Sequence, residues 1–251
     1  MRSARSAVVH EFAEKVTAYF AGHDSCAGLR DLLPRHDACA ALLAEAAELR
    51  DREGPVGLSH VHRNGFTKLC LLAGPAHAPW RLRLHIWDGP ARDPQIHDHR
   101  WCFSSRVLAG ELMAFNYDRV DSGTGWFAHR LHDADADGRK KIERAGQVAL
   151  SLAETVVLKA GRTHDLHYEL PHLIEHERLG MAATLVLTAP AARGFSHGYN
   201  RDRATQPTVV PPTMIPAGDV GRRIHEFLER FACSSPSVVS TDQARPPRSS
   251  C

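Results

Sequence analysis

Two histidines one residue apart, His97 and His99, stand in the stretch Ile96-His97-Asp98-His99-Arg100-Trp101. In an extended chain, side chains at i and i+2 share a face. Both imidazoles can therefore reach one metal ion from the same backbone, while Asp98 and Arg100 face away. A third ligand must come from elsewhere. The segment Leu158-Lys159-Ala160-Gly161-Arg162-Thr163-His164 offers one, because a glycine turn there ends an apolar strand and delivers His164 at the start of the next. His167, His172 and His176 are rival third ligands outside the glycine-turn position, and they are read instead as lining the barrel or its surface. In a chain with 17 histidines an isolated His-x-His pair is a weak signal. The second motif, with strand-like sequence between the two, is what turns it into a metal site.

Three neutral imidazoles carry no charge, so a divalent ion would keep its full charge and its open coordination positions. Imidazole suits iron, zinc, copper and nickel alike, and the sequence does not select among them by affinity. A structural zinc site would normally be closed by a fourth protein ligand. No cysteine or histidine has an obvious spacing for that role.

The elements that must position these residues are mostly strands. Apolar residues at helical spacing over Ala7–Phe20 and Asp37–Leu49 predict two or three helices within residues 1–52, packed outside a barrel. After Gly54-Pro55 the period changes to two. Phe66–Leu72 is one strand, and Arg81–Trp87 is a clearer one, with Leu82, Leu84 and Ile86 on one face and Arg81, Arg83, His85 and Trp87 on the other. Such a polar face looks either to solvent or into a pocket, and solvent is the commoner arrangement. Ser105–Leu108 and Glu111–Val120 read as a hairpin around Ala109-Gly110, and the charged segment Asp133–Arg144 as a solvated loop. Met181–Thr188 is a late strand. Residues 192–216, rich in Gly, Pro and polar residues, read as a lid or a linker; Val220, Ile224, Phe227, Leu228 and Phe231 then form a closing amphipathic helix. The expected organisation is a helical segment over 1–52, a barrel over 53–216, a helix over 217–233 and a disordered tail over 234–251.

A chain of 251 residues buries a sizeable core. A formal charge of +2 argues against a nucleic-acid partner, and no apolar run reaches the length of a membrane span. With no signal h-region at Met1–Ser6, a soluble cytoplasmic protein is expected, and a homodimer is left open. The six cysteines are dispersed without a C-x-x-C pair. Neither a disulfide framework nor a zinc ribbon is expected, and most of the thiols are read as buried or idle, with Cys102, close to the H-x-H, as the exception. Cys102 has the opposite parity to the two histidines and should face away from the ion.

The two motifs together resemble the cupin superfamily. Its first motif, H-x-H followed by a glycine, is matched by His97, His99 and Gly110; its second, [PA]-G-x-x-H, by Ala160, Gly161 and His164. The Glu that many cupins add after H-x-H is absent, and Phe103 and Ser104 stand there. The resemblance implies a mainly β fold, a cupin-type jelly-roll β-barrel with N-terminal helices and a C-terminal helix.

Within that superfamily the chain is similar to the three-histidine iron thiol dioxygenases, the cysteine dioxygenase-like enzymes, over roughly residues 60–190. Their upstream R-N dipeptide, whose arginine binds the substrate carboxylate, is matched by Arg63-Asn64. The strand Leu82–Trp87, then Gly89 and His97-Asp98-His99, follow in the family's order. The resemblance implies an iron(II) centre at His97, His99 and His164, with nickel, zinc or manganese as alternatives. Arg63 and Tyr168 are the implied catalytic residues, with a small thiol such as L-cysteine and dioxygen as the reactants. The outer shell departs from the family: Thr184, Val186 and Thr188 stand where those enzymes commonly carry Ser, His and Tyr, and Ser104 replaces the crosslinked cysteine of animal-type members. A specialised relative of bacterial natural-product pathways, some of whose members also remove the carboxyl carbon, fits those departures. Two other functions stay open. One is a metal-dependent isomerase or carbon–carbon-cleaving enzyme, and the other a non-enzymatic cupin that binds a small ligand.

Overall fold

In the computed structural model, which describes residues 7–23, 26–53, 58–62, 64–93, 95–134, 140–202 and 212–234, two antiparallel sheets face each other. The strands begin with β1 (His60–Val61), β2 (Phe66–Ala73), β3 (Arg81–Trp87), β4 (Ala91–Arg92), β5 (Ile96–His97) and β6 (Phe103–Ala109). Two long strands follow, β7 (Glu111–Ala134) and β8 (Lys140–Lys159), and then β9 (Thr163–Leu166), β10 (His172–His176), β11 (Ala182–Thr188), β12 (Phe195–Asn200) and β13 (Thr213–Met214). The first sheet has the order β13-β1-β2-β3-β11-β6-β9 and the second β4-β10-β5-β12-β7-β8. From β3 onward the chain changes sheet at most connections, which is the double-sheet jelly-roll architecture. Four helices complete it: α1 (Ala7–Gly22), α2 (Leu29–Leu32), α3 (His36–Glu53) and α4 (Ala217–Ser234). The fold is mainly β, with helices at both ends of the chain, as the sequence predicts.

The helices determine which way the first sheet faces. Val9, Phe12 and Val16 of α1, Leu42, Leu43 and Ala46 of α3, and Ile224, Phe227 and Phe231 of α4 share one core with Leu69, Leu71, Leu82, Leu84, Leu185 and Leu187 of the sheet. Each such Leu contributes about 1.5–3 kcal/mol by leaving water. The even-numbered side of β3 thus belongs to the helix layer, and its odd-numbered side, Arg83, His85 and Trp87, turns into the space between the sheets. This corrects the expectation of a solvent-facing polar set. Alternation separates two faces without saying which is wet, and here both are covered.

Three further expectations change. The β6–β7 connection is not a hairpin: β6 pairs with β11 and β9, whereas β7 pairs with β8, β10 and β12. Gly110 is instead a corner between sheets, with φ 71° and with the Met181 carbonyl under 3.0 Å from where a Cβ would sit. The charged run 133–144 is not simply a loop. Strand β7 continues to Ala134 and β8 starts at Lys140, with Arg130 opposite Glu143, and opposite charges facing across a ladder suit a solvated arm. Residues 135–139 lie outside the described residues. Within 192–216, Phe195–Asn200 is an interior strand between β5 and β7, and 203–211 lie outside the described residues, as does the expected tail from 235.

Cys26 and Cys102 form a disulfide with their Cα atoms 5.5 Å apart. This corrects the expectation of no disulfide, while Cys39 and Cys70 are free and buried as expected of most of the thiols. Cys26 and Cys102 are 76 residues apart in sequence, so no spacing pattern announces them. No helix among the described residues is long and apolar enough to cross a membrane.

Candidate metal centre

The site is built where β5 meets β10. Their antiparallel register sets His172 opposite His97, and residues so paired present their side chains on the same face. His99 follows two residues after His97 on that face. The ring centroids lie 5.1 Å apart for His97 and His99, 4.7 Å for His97 and His172, and 5.0 Å for His99 and His172. One ring nitrogen from each of the three lies within 4.8 Å of the other two. The parity set by His97 persists: His97, His99, Trp101, Phe103 and Ser105 all line the cavity.

The residues between them fasten the backbone. Asp98 is fully buried on the opposite side, where its carboxylate accepts from the His197 main-chain N–H at 2.5 Å, His197 Nδ1 at 2.8 Å and Tyr199 Oη at 3.0 Å. It also pairs with Arg119 at 3.0 Å and Arg193 at 2.5 Å. Burial pushes this carboxyl's pKa up, but the hydrogen bonds from His197 and the charge of Arg193 outweigh it and hold the group below its ordinary value. Arg193 also donates to the His99 carbonyl at 2.7 and 3.1 Å, while the His99 N–H donates to the Tyr168 carbonyl at 3.1 Å. The His-x-His segment is therefore pinned at Asp98 and at the main chain of His99. These partners come from β7, β12 and the β9–β10 and β11–β12 connections, and only pairing across the fold brings them together.

Two of the three rings are held in the protonation state a ligand needs. Burial holds His99 and His172 well below the ordinary imidazole value, so both are neutral at neutral pH, as metal ligation requires. Nδ1 of His172 is buried with no hydrogen-bond partner. A divalent ion fits this donor set, with His97 on β5, His172 on β10 and His99 pinned through its main chain, each offering a ring nitrogen within 4.8 Å of the other two.

His164 enters the same cavity from the opposing sheet. It stands on β9 opposite Ser105 of β6, and its Nε2 is buried without a partner. The sequence-derived set His97, His99 and His164 is thus gathered around one cavity, but the compact triangle is closed by His172. The reason is strand pairing, since β10 bonds directly to the ligand strand β5 whereas β9 belongs to the other sheet. Of the other rivals, His176 is held between the carbonyls of Glu111 and Gly180 at 3.0 and 2.8 Å, and His167 is exposed beside Glu169. The Tyr168 ring packs on the helix-side core and under Arg193, whose guanidinium carbon is 5.3 Å from its centroid, and Tyr168 does not line the cavity. Arg63 lies outside the described residues. Its neighbour Asn64 lines the cavity and donates to Asp93.

The cavity measures about 130 Å³. Its wall on the first sheet carries Lys68, Arg83, His85 and His164, with Thr184, Val186 and Thr188 of β11 beside them. Arg83 is only 4 % exposed and makes no ion pair among the described residues. Its guanidinium sits 5.1 Å from the Trp101 ring centroid. Burial lowers its pKa to about 10, which leaves it charged at neutral pH. The cavity therefore sets a three-imidazole cluster on one side against a buried cation that makes no ion pair among the described residues on the other.

No protein-family model and no curated protein matches the chain. Among solved structures, it aligns with TT1209 from Thermus thermophilus at 16 % identity over 53 % of this chain and 90 % of that one, with a TM-score of 0.32. An oxalate decarboxylase from Lactobacillus farciminis aligns at 16 % identity over 57 % of this chain and 36 % of the other, with a TM-score of 0.31. An oxalate oxidase in complex with the substrate analogue glycolate aligns at 16 % identity over 69 % of this chain and 76 % of that one, with a TM-score of 0.32. The chain spans about a third of the length of three oxalate decarboxylase structures it matches, 36 %, 32 % and 33 %. Alignments at these scores carry no argument about activity.

Proposed function

We propose that the protein is a mononuclear metal enzyme of cupin type, an iron(II)-dependent oxygenase that converts a small thiol carboxylate such as L-cysteine to a sulfinate-type product. The observation that carries this reading is a partly buried three-imidazole triad facing, across one small cavity, the Arg83 guanidinium, which makes no ion pair among the described residues. Iron(II) held by His97, His99 and His172 would supply redox chemistry toward dioxygen and an affinity for a soft thiolate. The chain's own residues would do the rest. Arg83 would take the carboxylate in a two-pronged hydrogen bond, a role the family resemblance gives to Arg63. Trp87, Trp101 and Phe103 would keep water from the reacting end. Thr184 and Thr188, where the family commonly carries a Ser and a Tyr, leave hydroxyls rather than a phenol on that wall.

A second reading keeps the metal as a Lewis acid for an isomerase or carbon–carbon-cleaving reaction. It is favoured by the buried, unpartnered Nε2 atoms of His85 and His164, which suit proton transfer. Oxygen consumption separates the two. Protein loaded anaerobically with iron(II) should consume dioxygen when given cysteine and much less when given cysteamine, which lacks the carboxylate. Bound iron with no oxygen uptake on any small thiol would contradict the oxygenase reading.

A further inference from the structure

A second group of ligating side chains lies behind the H-x-H strand. Donor atoms of Cys26, Cys102 and His167 fall within 4.8 Å of one another, and the two sulfurs are joined as the disulfide. Three separately fixed segments bring them together. Strands β6 and β9 pair with Phe103 opposite Leu166, and one step further along that register sets Cys102 against His167. Helix α2, which follows Cys26 closely, packs on both β6 and β9. Cys102 is buried, Cys26 half-buried and His167 exposed, so one side of the group opens to solvent.

We propose that this disulfide masks a thiophilic cation site, formed by Cys26, Cys102 and His167 when the bond is reduced. The bond is broken by a small dithiol, which supplies two electrons and two protons and closes to its own disulfide. Attack falls on Cys26, the more accessible sulfur, and Cys102 leaves as the thiol. A zinc-class divalent cation then binds both sulfurs as thiolates and releases their protons to solvent. Two thiolates and one imidazole form a soft N/S donor set that selects such a cation over calcium or magnesium. Solvent completes the coordination.

The site is distinct from the histidine triad but linked to it, because the Tyr168 carbonyl, one residue from His167, receives the His99 N–H. Cation binding there rests on no property of the catalytic cavity.

The test uses the full chain and cobalt(II) as probe, because thiolate-to-cobalt charge-transfer absorption reports sulfur ligation and is silent for an all-imidazole site. The protein is reduced with dithiothreitol, freed of it under argon and titrated with cobalt(II). The reduced chain should develop the charge-transfer band as up to two equivalents are added, one for each site, and the oxidised chain should show none. Cys26→Ser should abolish the band, and His167→Ala, at an exposed position, should weaken cobalt binding by at least about tenfold. His172→Ala should retain the band. Absence of the band in reduced wild-type protein, or its persistence at full strength in Cys26→Ser, would overturn the site. Unchanged affinity in His167→Ala would remove the imidazole from it.

Discussion

Nε2 of His99 and Nε2 of His172 lie 2.9 Å apart, although 73 residues separate them in sequence. Both rings are held neutral by burial, so neither gains from this approach as an ion pair. At that distance one ring's N–H meets the other's lone pair, and a divalent ion would take the place of that proton with His97 beside it.

Arg83 separates binding from stability. A buried guanidinium with no acid partner among the described residues stabilises the free protein little, and replacing such a charge by an apolar side chain of similar volume is often neutral or favourable. Arg83→Met should therefore leave the urea midpoint unchanged or raise it, while the apparent KM for a thiol carboxylate rises strongly. Arg83→Lys should recover only part of that binding, since an ammonium lacks the planar fork. Unchanged KM in Arg83→Met would move the carboxylate elsewhere in the cavity.

Asp98 is expected to be the most sensitive position outside the ligands. Asp98→Asn leaves Arg119 and Arg193 without their shared counter-charge and should cost about 3–5 kcal/mol, measured by chemical denaturation. Because the folded carboxyl titrates below its ordinary value of 3.8, its contribution is present in full above that pH and is lost as pH falls through the lowered value. Wild-type protein should lose stability in that acid window, and Asp98→Asn should lose correspondingly less there.

The buried histidines predict a different pH window. His85, His99 and His172 all titrate below 6.5 in the folded protein because burial disfavours their charged forms. As pH falls through about 6.5 the unfolded chain takes up protons that the folded chain refuses, so the metal-free protein should become less stable from roughly pH 7 downward. Urea midpoints measured across that range would show the decline, and a flat profile would contradict the neutral, buried assignment.

Gly110→Ala tests the corner between the sheets. An alanine at φ 71° costs about 1–2 kcal/mol. The Met181 carbonyl, under 3.0 Å from the new Cβ, must also move. Calorimetry should therefore show a clear loss of thermal stability, whereas Gly161→Ala, with positive φ but no atom within 4 Å of a Cβ, should lose less.

These positions also show what a sequence can disclose. The strand β3 is legible because its apolar residues alternate, β2 and β11 as short apolar-rich runs, and α4 because its apolar residues recur at helical spacing. The orientation of Arg83 and His85 is not, since period two is the same whether the polar face meets water or a cavity. His172 stands among the rival ligands, but ranking it above His164 requires knowing that β10 pairs with β5, a contact set by the whole sheet order. Asp98 reads only as facing away, and its partners Arg119, Arg193, His197 and Tyr199 are scattered along the chain, 80 positions separating Arg119 from Tyr199. Arg63 lies outside the described residues, so the dipeptide that most suggests a carboxylate clamp keeps only its sequence argument.

Metal content after anaerobic iron(II) loading and gel filtration tests most directly whether His97, His99 and His172 hold the metal. Wild-type protein should retain close to one equivalent. His172→Ala should lose most of it, as should His97→Ala and His99→Ala, with folding checked by circular dichroism. His164→Ala should retain the metal. Full occupancy in His172→Ala together with loss in His164→Ala would contradict this ligand set and return the third ligand to the glycine turn.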